Sequence, residues 1–161
     1  MKKSTKLKPI REGFHSLTPY LYVRGTAIAI EFYRRAFGAS VRPSDRGAVQ
    51  QAGYAELLIG DCVLILSSSA QKPDAPFPRS PADQVPSFLL YVTDVDVIFR
   101  NAVSAGARVI SLLIETAWGD RHGVLLDPFG YVWSLATHVR DRTQTTAPDD
   151  EPERVAELAG R

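Results

Sequence analysis

Three short stretches alternate hydroxyl, aromatic and acidic side chains at a period of two. In LTPYLYV the residues Thr18, Tyr20 and Tyr22 alternate with Leu17, Leu21 and Val23. In YAELLI, Tyr54 and Glu56 do the same, and in SFLLYV, Ser87, Leu89 and Tyr91. A strand sends successive side chains to opposite faces, so each set lies on one surface. Phenol rings and hydroxyls gathered on one surface suit a flat or amphipathic organic molecule, held by stacking and a few hydrogen bonds. The same rings could instead pack an inner core or a subunit interface. Glu56 is the carboxylate of the set and the candidate catalytic residue: buried, it could act as a general base, and otherwise it is a solvated strand carboxylate or the partner of a nearby arginine.

A second group lies in WGDRHGVLLDPFGYVWSLATH, residues 118–138. Trp118 precedes Gly119-Asp120-Arg121 in an irregular segment, where a large aromatic has less reason to be core, and it is a candidate for a pocket wall. Arg121 could orient an anionic or carbonyl-bearing ligand through its fork of donors, or bridge to Asp120 or Asp127. His122 and His138 are read either as a metal pair or as strand-end histidines half exposed to water. His15 lies in a polar arm. Three histidines without a short-spaced partner are a weak metal signal. Trp133 alternates with Ser134 and is expected to face the core.

The remainder of the chain bounds what these residues can do. Among 161 residues there are 19 basic and 18 acidic side chains, a balance that points to neither nucleic acid nor a membrane surface as partner. Cys62 is the single cysteine, so no intramolecular disulfide or thiolate cluster forms, and inside an apolar run it is expected to be inert. No apolar run approaches a membrane span, and MKKSTKLKPIREG lacks the apolar core of a signal peptide. These features place the protein in the cytoplasm.

The elements that must position the candidates come in a repeated order. After a basic arm over residues 1–15, the strand at Leu17–Val23 leads to Thr26 as helix N-cap. Ala29, Phe32, Tyr33, Ala36 and Phe37 then follow at helical spacing, and Gly38 ends the helix. A hairpin follows, Tyr54–Ile59 and Cys62–Ser67 around Gly60-Asp61. Residues 68–86 carry five prolines and read as a linker. The pattern then restarts: strand Ser87–Val92, capping Asp94, and Val95, Ile98, Phe99, Ala102 and Val103 at the same spacing. Gly106-Ala107-Arg108-Val109 matches Gly38-Ala39-Ser40-Val41, and a last hairpin closes on Asp127-Pro128-Phe129-Gly130.

The chain is therefore read as an α+β protein, an internal duplication of two βαβββ modules over residues 16–67 and 87–139, with a polar tail over 140–161 in which EPERVAELAG could form a short helix. One helix per module covers one sheet face only. Two modules edge to edge would make an open, cup-shaped mixed sheet with the helices outside, and the cup is the expected binding site.

Taken in order, VRGTAIAIEFYRRAFGA, YAELLIGDCVLILS, LLYVTDVDVIFRNAVSAGA and WGDRHGVLLDPFGYVWSLATH resemble the vicinal oxygen chelate superfamily, the glyoxalase and bleomycin-resistance fold, and within it the PhnB-like subgroup. The resemblance covers residues 16 to 139. It implies a cup of paired βαβββ modules, commonly in a homodimer. In the metal-dependent members it also implies ligands on the first and last strand of each module, which fall here on Thr18, Ile65, Ser87 and Ser134. None is a histidine or a carboxylate. The subgroup often carries a histidine where Tyr54 stands, and a tyrosine or tryptophan where Trp118 stands.

The expectation is a metal-free binding protein for a small organic ligand, aromatic or antibiotic-like as in bleomycin resistance, lined by Tyr20, Tyr22, Tyr54, Tyr91, Trp118 and Arg121 and needing no cofactor. The alternatives are a lyase, isomerase or dioxygenase using Glu56 as base or an atypical metal set of Glu56, His122 and His138, and a dimerisation or regulatory module with a vestigial cup.

Overall fold

The computed structural model describes residues 9–43, 53–68 and 87–141. The proline-rich linker beyond Ser68, the first eight residues of the arm and the tail segment EPERVAELAG lie outside them. In chain order the elements are β1 (Tyr20–Tyr22), α1 (Thr26–Phe37), β2 (Ser40–Val41), β3 (Tyr54–Ile59) and β4 (Cys62–Ser67), followed by β5 (Ser87–Tyr91), α2 (Val95–Ser104), β6 (Arg108–Glu115), β7 (Asp120–Leu126) and β8 (Val132–His138). The two halves repeat one topology. Their sheets run β1-β4-β3-β2 and β5-β8-β7-β6, with the first pair in each parallel and the others antiparallel. They are two four-stranded open sheets rather than one continuous ladder.

Each helix follows from its local sequence. On α1 the apolar positions Ala29, Phe32, Tyr33, Ala36 and Phe37 are all buried, and Gly38 closes the helix in the left-handed region at φ 68° with its N–H on the Arg34 carbonyl. Thr26 is not the N-cap. Gly25, at φ 88°, makes the turn out of β1, so the helix starts one residue early and the Thr26 hydroxyl is buried without a partner among the described residues. On α2, Asp94 caps as its sequence suggests, accepting the Val97 N–H at 3.0 Å. The Val95 N–H finds the Thr137 hydroxyl at 2.9 Å, which ties the helix start to β8. Val95, Phe99 and Ala102 are buried, whereas Val103 sits at the exposed margin of the stripe.

Both helices cover the same side of the molecule and pack against each other as well as on their own sheets. The result is one core shared by the two modules. Trp133 lies at its centre, as its alternation with Ser134 requires, with ring centroids 4.8 Å from Phe37, 5.0 Å from Phe88 and 5.8 Å from Tyr33. Each such aromatic pair adds about 1 kcal/mol beyond the area it buries. At Gly123 the sheet approaches α2 closely: a Cβ there would stand 2.8 Å from Phe99 Cε2, so any side chain at that point would force Phe99 to shift.

Two polar features fix the modules to each other. Asp127, buried at the start of the last turn, accepts four hydrogen bonds: from the Tyr33 hydroxyl (2.6 Å), the Trp133 indole (2.9 Å) and the Phe129 and Tyr131 N–H groups (2.8 and 2.9 Å). Burial pushes its carboxyl above the usual range, against those four bonds, and burial together with the Asp127 charge pushes the Tyr33 phenol far upward. Tyr131 in turn clasps the edge of β1, its hydroxyl accepting from the Tyr22 N–H at 2.9 Å and donating to the Tyr22 carbonyl at 3.0 Å. Cys62 is half-buried at the start of β4, and burial pushes its thiol upward.

Candidate functional site

With the helices and the core on one side, every strand has an opposite, open face. On the first sheet the registers Tyr20↔Ile65↔Glu56 and Tyr22↔Ser67↔Tyr54 place the three tyrosines and Glu56 on that face, since Leu21, Ala55, Leu57 and Leu66 between them are in the core. The alternation in the sequence thus delivers four of the candidates to one surface. Tyr20 is 44% exposed, and its ring stands 5.2 Å from that of Tyr22.

Glu56 is fully buried, at 0% exposure, beneath this surface. Its Oε1 accepts the Tyr54 hydroxyl at 3.0 Å and Arg11 Nη1 at 3.2 Å, so it is neither a solvated carboxylate nor without an arginine. Its Oε2 has no hydrogen-bond partner among the described residues. Arg11 comes from the arm, which turns back at Arg11–Phe14 through the Phe14 N–H to Arg11 carbonyl bond. Arg42, just after β2, holds that turn. Its guanidinium donates to the Glu12 and Gly13 carbonyls at 3.2 and 3.4 Å, and both Arg11 and Arg42 lie over the Phe14 ring. Gly13 sits at φ 76°, a left-handed conformation that favours glycine, and a Cβ there would press on the Arg42 guanidinium at 3.1 Å.

On the second sheet, Ser87, Leu89 and Tyr91 pair with Val132, Ser134 and Ala136, and Asp120, His122 and Val124 continue the same open face across β7. Asp120 organises one end of it. Its Oδ2 accepts the Tyr91 hydroxyl at 2.7 Å and the Trp118 indole N–H at 3.2 Å, and its Oδ1 meets His138 Nδ1 at 2.8 Å. Thr116 locks the loop, its hydroxyl donating to the Asp120 carbonyl and accepting the Asp120 N–H. The Tyr91 bond, then the His138 bond, hold the Asp120 carboxyl below its ordinary range; Asp120, then Asp141, raise the His138 imidazole; the Asp120 bond raises the Tyr91 phenol. Trp118 and Tyr91 are thereby fixed by their polar ends while 58% and 55% of each residue remains exposed.

Arg121 is the candidate that the structure takes elsewhere. It pairs with Thr137, on the helix side of β7, and makes a two-nitrogen bridge to Asp96 of α2 at 2.7 Å for each contact. That bond raises the guanidinium and lowers the Asp96 carboxyl. Arg121 therefore fastens α2 to its sheet and does not line the open face. The partners foreseen for it, Asp120 and Asp127, belong to the two other networks.

The positions implied as metal ligands do not suit a divalent ion. Ile65, Ser87 and Ser134 bring an aliphatic and two hydroxyls to the open faces, and the Thr18 hydroxyl donates to the His15 carbonyl at 3.1 Å. A cation of that class needs several imidazole or carboxylate donors. Glu56 belongs to one sheet and His122 and His138 to the other. No three His, Cys, Asp or Glu side chains among the described residues are grouped to hold an ion. On the helix side a groove of about 540 Å³ runs between α1 and the last turn, lined by Ile28, Phe32, Ala105 and Phe129.

Three residues of these networks have no local signal in the sequence. Arg11 meets Glu56 across 45 positions, and Asp96 meets Arg121 across 25. Asp120, read only as a candidate bridge partner for Arg121, proves to be the acceptor that fixes two exposed aromatics.

The Glyoxalase/Bleomycin resistance protein/Dioxygenase superfamily model matches residues 13–135. The uncharacterised protein Mb0911c of Mycobacterium bovis is 36% identical over 129 residues, 78% of this chain and 85% of that protein. Among solved structures, the bleomycin resistance determinant encoded on transposon Tn5 is similar in fold, with a TM-score of 0.54 and 24% identity over 77% of this chain and 98% of that one. Lactoylglutathione lyase from Agrobacterium tumefaciens gives a TM-score of 0.52 and 21% identity over 76% and 92%.

Proposed function

The chain belongs to the Glyoxalase/Bleomycin resistance protein/Dioxygenase superfamily, and from that premise we propose that it is a binding protein whose open sheet face holds a small organic molecule with an aromatic part. The observation that carries this reading is the set of aromatics on the open faces: exposed Tyr91 and Trp118, tied by their polar ends to Asp120 on one sheet, and exposed Tyr20 with its ring against half-buried Tyr22 on the other. Tyr91 and Trp118, fixed by their polar ends and largely bare, offer stacking surface at little further entropic cost. Sequestration needs no reacting group and no metal, which agrees with the side chains at Thr18, Ile65, Ser87 and Ser134. A resistance role against an antibiotic-like molecule is the form of this reading closest to the Tn5 determinant.

A PhnB-like place within the superfamily, a cytoplasmic location and a homodimer are parts of the same proposal. The dimer is supported by the second sheet, which leaves Leu89, Leu112 and Ile114 exposed, an apolar surface of the kind that association covers. No helix among the described residues is long and apolar enough to cross a membrane.

One observation supports a second reading, an enzyme of the lyase, isomerase or dioxygenase kind: the buried Glu56 with a phenol at one oxygen and the other oxygen unpartnered, an arrangement a general base could use. Metal analysis of protein purified without chelator separates the two. Substoichiometric metal and no thermal stabilisation by added divalent ions are expected, and tight stoichiometric metal overturns the binding reading. The pocket itself is tested with the neutral aromatic probe N-phenyl-1-naphthylamine, followed by tryptophan emission. Trp118 should respond and the buried Trp133 should not, so Trp118→Phe removes the response; a response retained in full by that variant overturns the placement of the site.

A further inference from the structure

A fully buried carboxylate is costly unless its oxygens are met by donors, and an ionised carboxylate has about four acceptor positions to fill. Glu56 fills two of them, both on Oε1, while Oε2 is buried without a partner among the described residues. Arg11 brings a guanidinium to this carboxylate through one nitrogen, at 3.2 Å, although the planar fork of that group matches both oxygens at once. The Arg11 side chain is 44% exposed, and its turn is held at the sheet margin by the Arg42 contacts to the Glu12 and Gly13 carbonyls. A side chain this exposed, on a surface turn, can leave its partner by a local rearrangement without opening the core.

We propose that Glu56 and Tyr54 form a binding subsite for a guanidinium or amidinium group, in which Arg11 of the arm is the built-in occupant and the cation of a ligand takes its place. This rests on the reading that the open face holds an organic molecule, and it names the class: an aryl compound with a planar cation at some distance from its ring. The distance follows from the register. Tyr20, Ile65 and Glu56 stand in one row across three neighbouring strands, so the Tyr20 backbone lies about 10 Å from that of Glu56. A cation at Glu56 and a ring at Tyr20 and Tyr22 therefore need a linker of several bonds. An ammonium, a point charge, uses the two oxygens less well than a planar fork, and a neutral urea of the same shape leaves the buried charge unmatched.

Calorimetric titration of the full chain with N-(4-phenylbutyl)guanidinium and with the neutral N-(4-phenylbutyl)urea tests this. The guanidinium is expected to bind at least about tenfold tighter than the urea, Glu56→Gln to abolish the difference, and Arg11→Ala to tighten guanidinium binding about tenfold by removing the competitor. Equal affinity of the two compounds, or an unchanged guanidinium affinity in Arg11→Ala, overturns the cation subsite; the broader reading stands in that case if the urea binds. If neither compound binds to the wild type or to Arg11→Ala, the subsite is overturned, and the broader reading is judged by the naphthylamine titration. Arg11→Ala strips a buried carboxylate of its partner, so its folding is checked by rescue. Ethylguanidinium is expected to raise its melting temperature saturably and to leave the Arg11→Ala/Glu56→Gln double variant unchanged. No rescue, or equal rescue of both, also overturns the proposal.

Discussion

On the first sheet, the face turned away from the helices buries Glu56 beside Tyr54 and Arg11, whereas the same face of the second sheet exposes Leu89, Leu112 and Ile114. The strand orders behind these faces are the same, and so is the helix that covers each from the other side. The helix side has to satisfy one shared core, with Trp133 between residues of both modules, and it has little freedom. The open faces answer to no common core. One buries a carboxylate and carries the arm; the other leaves an apolar patch of Leu89, Leu112 and Ile114 exposed beside the Asp120 network. What the duplication conserves is packing, and what it releases is the surface that meets other molecules.

The largest expected effect lies where the two modules meet. Asp127→Ala leaves the Tyr33 hydroxyl, the Trp133 indole and two backbone N–H groups without their acceptor, and should destabilise by about 3 kcal/mol or more in denaturant unfolding. Because the core is shared, the loss should fall on a single transition. Two separated transitions would show that the modules are independent and the comparison mistaken.

The first face is expected to answer to two substitutions with opposite signs. Arg11→Ala, which leaves a buried carboxylate deprived of a partner that is itself 44% exposed, should cost about 1–2 kcal/mol after allowance for solvent screening. Glu56→Leu gives that face the apolar character of the second and should be neutral or stabilising by about 1 kcal/mol, because it removes the buried charge altogether. Chemical unfolding of both variants checks the pair, and a cost for Glu56→Leu larger than that for Arg11→Ala would contradict the account of the site. On the second face, Leu112→Asp, at a residue 70% exposed, should change monomer stability by less than about 0.5 kcal/mol while abolishing self-association in sedimentation velocity.

The smallest effect is a pH dependence confined to the second sheet. His138 is raised above its ordinary 6.5 by Asp120 and then Asp141, so its contribution is complete below pH 6.5 and is lost as pH rises through the folded value. Asp120 is lowered from 3.8, chiefly by Tyr91 and His138, so its contribution is present above that pH and lost as the solution is acidified through the folded value. The melting temperature should therefore decline slightly above pH 6.5 in the wild type, and that component should be missing in His138→Gln. An identical profile for the two proteins would mean that the imidazole is not held by Asp120.

The fold was legible because its signals are local. Apolar residues at helical spacing mark both α1 and α2, Gly38 and Asp94 end and begin them, and Gly60-Asp61 fixes the β3–β4 hairpin. Strand alternation likewise sorted Tyr20, Tyr22, Tyr54, Glu56 and Tyr91 onto open faces and Trp133 into the core. Alternation alone could not sort Arg121, since its side of β7 depends on where the loop after Trp118 ends. The β7–β8 register decides it: Leu125 pairs with Trp133 and Arg121 with Thr137, so all share the helix side. Asp127 could have been found from Tyr33 and Trp133, whose buried polar ends require an acceptor. The Arg11–Glu56 pair could not, because nothing near either residue marks the other.

The central claim is that ligands meet the open faces and not the helix side. Amide shift mapping of isotope-labelled protein with N-phenyl-1-naphthylamine tests it most directly. Perturbations are expected to cluster at Tyr20, Tyr22, Glu56, Tyr91 and Trp118. A cluster instead at Ile28, Phe32, Ala105 and Phe129, around the groove beside α1, would contradict the account.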